Sequence, residues 1–303
     1  MAPPTSQENA MKQVAVIGLG QMGSTLARLL LQADMQVHVW NRSPGRSTPL
    51  AAAGAVVAPT PAQAVRDAQV VVMCVHDDAA ARSVLAMDGV AAALQGKVLL
   101  QLTTVSPQEA RAAAGEAHAL GAGFLAGAIQ VAPEQMGKPD TTILLSGAAA
   151  DHDRARDVLA AFGGNVVYLG ENPGAAATMD LATLSYVYGA AAGFFQGAAL
   201  AGREGLDVRA YGDIVHAMSP SFGAFLRHEA GSIAAEDYAV SQSPLSISVD
   251  ATRRIEEAMR ERRLHAGLPA LIAQLLRDAD RAGFGGEEFA AVVKVLRAEP
   301  APS

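Results

Sequence analysis

Six consecutive residues, Gly18-Leu19-Gly20-Gln21-Met22-Gly23, carry the strongest chemical signal in the chain. Their GxGxxG spacing follows a β-rich run at residues 12–18 and opens an apolar-periodic stretch at 22–34. In that setting Gly18 makes a tight turn and Gly20 lets a pyrophosphate approach the backbone. Gly23 lets the helix pack on the sheet, and the helix start offers N–H groups to the phosphates. The second strand-like run, 36–41, leads into Asn41-Arg42-Ser43, where an NAD site usually places an acid for the ribose hydroxyls. An acid would repel a 2′-phosphate, whereas Arg42 can pair with it and Ser43 can donate to it. The pattern points to NADPH. The plainer alternatives are a structural turn and an ordinary surface arginine.

Ligands of open α/β sheets sit beyond the carboxyl ends of the strands. Two such ends are Cys74-Val75-His76 and Thr103-Thr104-Val105, so Cys74, Val75, Thr103 and Thr104 are expected at the cofactor. Cys74 itself reads as a small buried hydrophobe rather than a nucleophile. The seven histidines form no HExxH or similar ligand cluster, and no metal is expected. MGKP at 136–139 lacks the spaced glycine and the Ser or Thr of a phosphate-binding loop, and no GxSxG occurs. Asp180 stands near the start of a long uncharged stretch, and Tyr188 follows about two helical turns later, ~12 Å along an axis. The pair could flank a small substrate. Equally, Asp180 could be a first-turn acid that stabilises a helix N-terminus by ~0.3–1 kcal/mol.

These residues need a frame. Up to about residue 170, strand-like runs (12–18, 36–41, 69–75, 97–102, 123–132, 141–147, 165–170) alternate with helical ones (22–34, 107–120, 153–163). Several runs are continuously apolar, as strands buried on both faces of a parallel sheet are. The alternation predicts a doubly wound α/β domain. ENPGAAA at 171–177 breaks the pattern, and everything after it reads helical, with separate segments before and after Ser219-Pro220. Residues 181–202 carry no charge but are mostly small, which favours a helix buried in protein over a membrane span. The expected division is an extension at 1–11, a dinucleotide domain at 12–172, an interdomain helix at 173–204 and a helical domain at 205–303. The extension should be mobile and leaves Met11 as an alternative start; the PAPS tail should fray.

Composition bounds the rest. The 303 residues are 50% hydrophobic and 17% charged, enough for a sizeable core, with a net charge of −7. An acidic chain offers no global field for nucleic acid or anionic lipid. A single cysteine excludes an intrachain disulfide and is compatible with a reducing, cytoplasmic setting.

VAVIGLGQMGSTLA, VWNRSP, QLTT, GAIQVAP, MDLATLSYVYG and GLPALIAQLLRDADRAGFG occur in that order across residues 12–297. In this the chain resembles the NADPH-dependent imine reductases and reductive aminases of the β-hydroxyacid dehydrogenase superfamily. The resemblance implies an N-terminal Rossmann domain, a long interdomain helix and an all-α C-terminal domain in an interlocked homodimer. Hydroxyacid dehydrogenases carry a catalytic lysine where this chain has Asp180 and an asparagine where it has Leu184. Their DAPVSGG segment is replaced by AGAIQVAP, which contains Ala128 and Gln130. Imine reductases carry Asp or Tyr at the lysine position, and Tyr188 matches a tyrosine of the reductive-aminase subgroup. That subgroup usually has Asn at the position of Thr104. Phe222 and Ser248 stand near the family's remaining pocket positions.

The resemblance thus implies hydride transfer from NADPH to an imine, with Asp180 and Tyr188 catalytic and Ala128, Gln130, Leu184, Phe222 and Ser248 lining the pocket. Its substrates would be a small-molecule imine or a carbonyl plus an amine, with no nucleic acid or membrane partner. The rival readings are an NADP-dependent hydroxyacid or aldehyde reductase and a non-catalytic NADP-binding sensor.

Overall fold

A computed structural model describes residues 12–298. The expected extension at 1–11 and the last residues of the tail lie outside them. Two compact units are present, one reaching to Ser185 and the other beginning at Tyr186.

The first unit is built on one sheet of eight strands: β1 (Gln13–Ile17), β2 (Gln36–Trp40), β3 (Val56–Val57), β4 (Val70–Met73), β5 (Val98–Gln101), β6 (Gly123–Ile129), β7 (Thr142–Gly147) and β8 (Asn165–Tyr168). Their spatial order is β3-β2-β1-β4-β5-β6-β7-β8, so the direction of winding reverses between β1 and β4. Side chains alternate across the strands, and both faces are covered. Ala15, Ile17, Val71, Met73 and Leu99 enter one core. Val14, Val16, Val70, Val72, Val98 and Leu100 enter the other. That double burial explains why the strands read as unbroken apolar runs. In register, Ile17 lies opposite Trp40 and Met73, and Met73 opposite Gln101, so these strands end at one edge of the sheet.

The sheet departs from a fully parallel one at a single place. β6 and β7 pair antiparallel, and the chain between them forms only a short 3-10 turn, Pro133–Gln135. A parallel partner would need a crossover long enough to return to the same end of the sheet.

The second unit is helical. The helix Ala175–Arg203 begins in the first unit and ends in the second. The helices Val208–Ala235, Leu245–Glu261, Gly267–Ala279 and Val292–Arg297 follow. One expectation needs correction. Ser219-Pro220 does not divide two helices, because Val208–Ala235 is continuous with Pro220 inside it. Ser219 and Ser221 hydroxyls donate to the Val215 and Met218 carbonyls around the proline, at 2.7 and 2.8 Å. The uncharged stretch is not covered by its own chain: Leu181, Tyr186, Val187, Tyr188 and Phe195 are all exposed. No described helix is long and apolar enough to cross a membrane.

The core of the second unit is small, centred on Tyr238, Leu245, Leu276, Ala279, Ala290 and Ala291. A buried carboxylate anchors it. Glu288 accepts the N–H groups of Ser241 (2.6 Å), Gln242 (2.8 Å) and Ser243 (3.0 Å) and the Ser241 hydroxyl (2.9 Å). Burial disfavours its charge, but these donors together outweigh burial and hold its pKa at about 2. Glu229 is its opposite. Both of its oxygens are buried with no hydrogen-bond partner among the described residues. Burial pushes its pKa up, and the Glu288 charge adds to that, against the weaker pull of His228 and of a nearby Ala290 N–H that falls short of a hydrogen bond.

The two acids load stability with opposite signs. Glu288 stabilises the fold above its ordinary carboxylate range, and that contribution is lost as pH falls toward 2. Glu229 favours the fold while protonated and opposes it increasingly as pH rises. Glu288→Gln should therefore cost about 2–3 kcal/mol at neutral pH, the scale of charge-assisted hydrogen bonds, and the deficit should shrink as pH is lowered. Glu229→Gln should raise Tm at neutral pH and lose its advantage in acid. Thermal melts of both variants between pH 3 and 8 measure the two trends.

Candidate active site

The glycine turn sits at the point where the sheet reverses its winding. Gly18 has φ +94, open to glycine at little cost, and a Cβ there would lie 2.2 Å from the Cys74 carbonyl oxygen. The first glycine thus lets the ends of β1 and β4 meet. A Cβ on Gly23 would lie 2.0 Å from the Gly18 carbonyl oxygen, so the third glycine makes room for the turn itself. A Cβ on Gly20 would meet nothing within 4 Å, leaving open space above the middle glycine. The helix Gln21–Gln32 starts there with no acid in its first turn and no side-chain cap. Unpaired N–H groups and the positive end of the helix dipole suit an anion at that point.

The end of β2 is tied to this turn. The Leu19 N–H donates to Asn41 Oδ1 at 2.9 Å, and Asn41 Nδ2 donates to the Ser43 carbonyl at 3.0 Å. Asn41 therefore shapes the loop, while Arg42 and Ser43 stay exposed beside it. Leu19 is buried, and Gln21 and Met22 occupy the first turn of the helix. At the next strand ends, Thr103 Oγ1 accepts the Val75 N–H at 3.1 Å and is buried, whereas Thr104 is exposed. Burial raises the Cys74 thiol to about 11, so it is no nucleophile at neutral pH.

Past the sheet, the chain enters the long helix through a tightly pinned corner. Ser146 Oγ accepts the Ala176 N–H and donates to the Pro173 carbonyl, both at 3.1 Å. Asn172 Oδ1 accepts the Gly174 N–H at 3.0 Å. A side chain on Gly174 would run into Arg111. This corner sets the helix so that Asp180, only 6% exposed, faces a small pocket. Thr103, Thr104, Ala126, Ala128 and Ala177 line that pocket with it. Asp180 lies beyond the first turn, which holds no acid, so the helix-capping reading does not apply.

The Asp180 carboxylate has one hydrogen-bond donor among the described residues: Gln130 Nε2, 2.7 Å from Oδ1. Thr183 Oγ1 in turn lies 2.7 Å from Gln130 Oε1 and 2.9 Å from the Asp180 carbonyl. The sequence suggested Ala128 and Gln130 as pocket residues but gave no sign that Gln130 bonds Asp180. Thr183, on the same helical face as Asp180 at i+3, shares the contact, but that spacing relates it to Asp180 alone. Leu184 is half-buried on this helix. Tyr188, Phe222 and Ser248 belong to the second unit. Tyr188 is 70% exposed, Phe222 stacks on Phe225 at 6.0 Å, and the Ser248 carbonyl accepts the Thr252 hydroxyl at 2.8 Å.

Ligand atoms of His228, Glu229 and Glu288 lie within 4.8 Å of one another. Sequence separation hid this group. The Glu288 oxygens are already occupied by the backbone donors described above, which makes that carboxylate an anchor.

Residues 13–170 match the family model for the NAD binding domain of 6-phosphogluconate dehydrogenase. Residues 172–298 match that of the NADPH-dependent reductive aminase-like C-terminal domain. The chain belongs to the imine reductase and reductive aminase family. Within this β-hydroxyacid dehydrogenase superfamily, it is 28% identical to the NADPH-dependent reductive aminase of Aspergillus oryzae, over 94% of this chain and 97% of that one. It is 31% identical to the L-threonate dehydrogenase of Cupriavidus necator, over 94% and 96% of the two chains. The structure of the imine reductase from Myxococcus stipitatus in complex with NADP+ superposes with a TM-score of 0.88 at 30% identity, over 94% of this chain and all of that one. Family membership accounts for the paired architecture, a Rossmann-type sheet followed by a helical C-terminal unit.

Proposed function

We propose that this protein is an NADPH-dependent imine reductase in which the Asp180 carboxylate favours a cationic C=N nitrogen. The observation that carries this reading is a buried carboxylate, held by a neutral amide, at the helix position where hydroxyacid dehydrogenases carry a lysine. Gly18–Gly23 and Arg42 would hold NADPH, whose chemistry there would be to give a hydride to the C=N carbon. As the carbon gains its C–H bond, the π pair of the C=N bond would pass to the nitrogen, which keeps its proton and its single bond to that carbon, so that the product is the amine. A carboxylate beside that nitrogen stabilises the protonated, more electrophilic substrate, whereas a lysine there would repel it. Thr103, Ala126, Ala128 and Ala177 close the pocket around Asp180.

The 31% identity to an L-threonate dehydrogenase favours one rival, a hydroxyacid or aldehyde reductase. Oxygen gains negative charge during carbonyl reduction, and Asp180 is the wrong sign to assist it. Asp180→Asn keeps the shape and the acceptor that Gln130 uses. It should lower kcat/KM for a cyclic imine such as a pyrroline by ~10²–10³, with NADPH affinity and Tm nearly unchanged. A folded variant with wild-type turnover would remove Asp180 from the reaction.

For the cofactor, Arg42 and Ser43 supply a cation and a hydroxyl where an acid would exclude a 2′-phosphate. Arg42→Ala should cost ~1.5–3 kcal/mol of NADPH binding, the worth of a charge-assisted contact, while NADH binding hardly changes. Fluorescence titration of both cofactors decides this, and equal wild-type affinity for the two would contradict it.

The exposed apolar residues of the long helix, and an apolar groove of ≈ 300 Å³ between residues such as Leu200, Ile255, Leu268 and Ile272, support a homodimer. A dimer of interlocked helical domains should appear in light scattering at micromolar concentration; a folded, active monomer there would count against it.

A further inference from the structure

We propose that Gln130 is a positioning residue for Asp180: it fixes the carboxylate without cancelling its charge and leaves one oxygen free for the substrate nitrogen. This rests on the reading of Asp180 given above. A carboxylate this deeply buried is costly unless something donates to it. Among the described residues only Gln130 does, at 2.7 Å to Oδ1, and Oδ2 accepts no hydrogen bond.

The carboxamide cannot be turned round. A carboxylate can only accept, so the amide nitrogen faces Asp180, and the amide oxygen then lies 2.7 Å from the Thr183 hydroxyl, which can donate to it. The reversed orientation would set the amide oxygen against a carboxylate. Both ends of the contact are held by backbone. Gln130 directly follows β6, and its own N–H donates to the Thr142 carbonyl at 3.0 Å. Asp180 and Thr183 project from one face of the long helix. The bond thereby links the sheet to the helix at the pocket.

The choice of side chain follows from electrostatics. Lysine or arginine at 130 would neutralise Asp180 and remove its preference for a cation. An apolar side chain would leave the carboxylate buried without a donor. A neutral amide does neither, and it keeps the net charge of the pair at that of one carboxylate.

The test is a double-mutant cycle with Gln130→Met and Asp180→Asn, read as kcat/KM for a pyrroline, with NADPH titrations and thermal melts as controls. Gln130→Met should lose about tenfold in kcat/KM with NADPH affinity unchanged. It should add nothing further in the Asp180→Asn background. Gln130→Glu, close in shape, carries the test if the methionine variant folds poorly. It should be impaired at high pH and recover relative to wild type as pH falls, because only the protonated carboxyl can donate to Asp180. Equal losses from Gln130→Met in both backgrounds would make Gln130 a direct substrate contact and overturn the proposal. So would near wild-type activity of Gln130→Met or a flat relative pH profile of Gln130→Glu, while an inactive Asp180→Asn left the role of Asp180 standing. Wild-type activity of Asp180→Asn would remove both readings together.

Discussion

The negative charge of Asp180, kept from water and held by a neutral amide, is the constraint around which the first unit is arranged. A buried carboxylate needs a donor, and its charge is left in place only if that donor is neutral. Satisfying both conditions takes elements far apart in sequence. β6 delivers Gln130, the corner at Ser146 and Gly174 sets the start of the long helix, and that helix presents Asp180 and Thr183 one turn apart. The antiparallel turn between β6 and β7 belongs to the same arrangement, because the Thr142 carbonyl at the start of β7 holds the backbone of Gln130.

The second unit meets the same difficulty in two other ways. Glu288 is surrounded by backbone N–H groups and ionises more readily than in water, whereas Glu229 has no such donors and resists ionisation. Their proximity is informative, since each makes the other's charge more costly. Asp180, Glu288 and Glu229 thus differ in what faces them: a neutral side-chain amide, a nest of backbone N–H groups, and surroundings in which burial outweighs the donors and raises the pKa.

Much of this was legible in the sequence. Apolar runs of strand length marked the sheet because its strands are buried on both faces, and the glycine spacing marked the turn between β1 and its helix. Asp180 stood out because it is the acid beside a long uncharged stretch. What stayed hidden depends on distance in the chain or on competing local preferences. Nothing near Gln130 announces a partner fifty residues away, and Glu288 meets the Ser241–Ser243 backbone across a similar gap. Pro220 signals a break locally, yet the long helix continues through it. The β6–β7 reversal was readable in principle, since no helical pattern separates the two runs.

The three glycines of the turn are constrained for different reasons, and this bears on how such a motif decays. Gly18 is held by its own backbone angle and by Cys74, and Gly23 by the Gly18 carbonyl, whether or not any ligand is ever present. Gly20 faces open space, so the fold places no steric demand on it. In a descendant of this chain that abandoned its cofactor, the outer glycines would persist as fossils of packing while the middle position drifted. The middle glycine is therefore the one whose retention records use, and the outer two record ancestry.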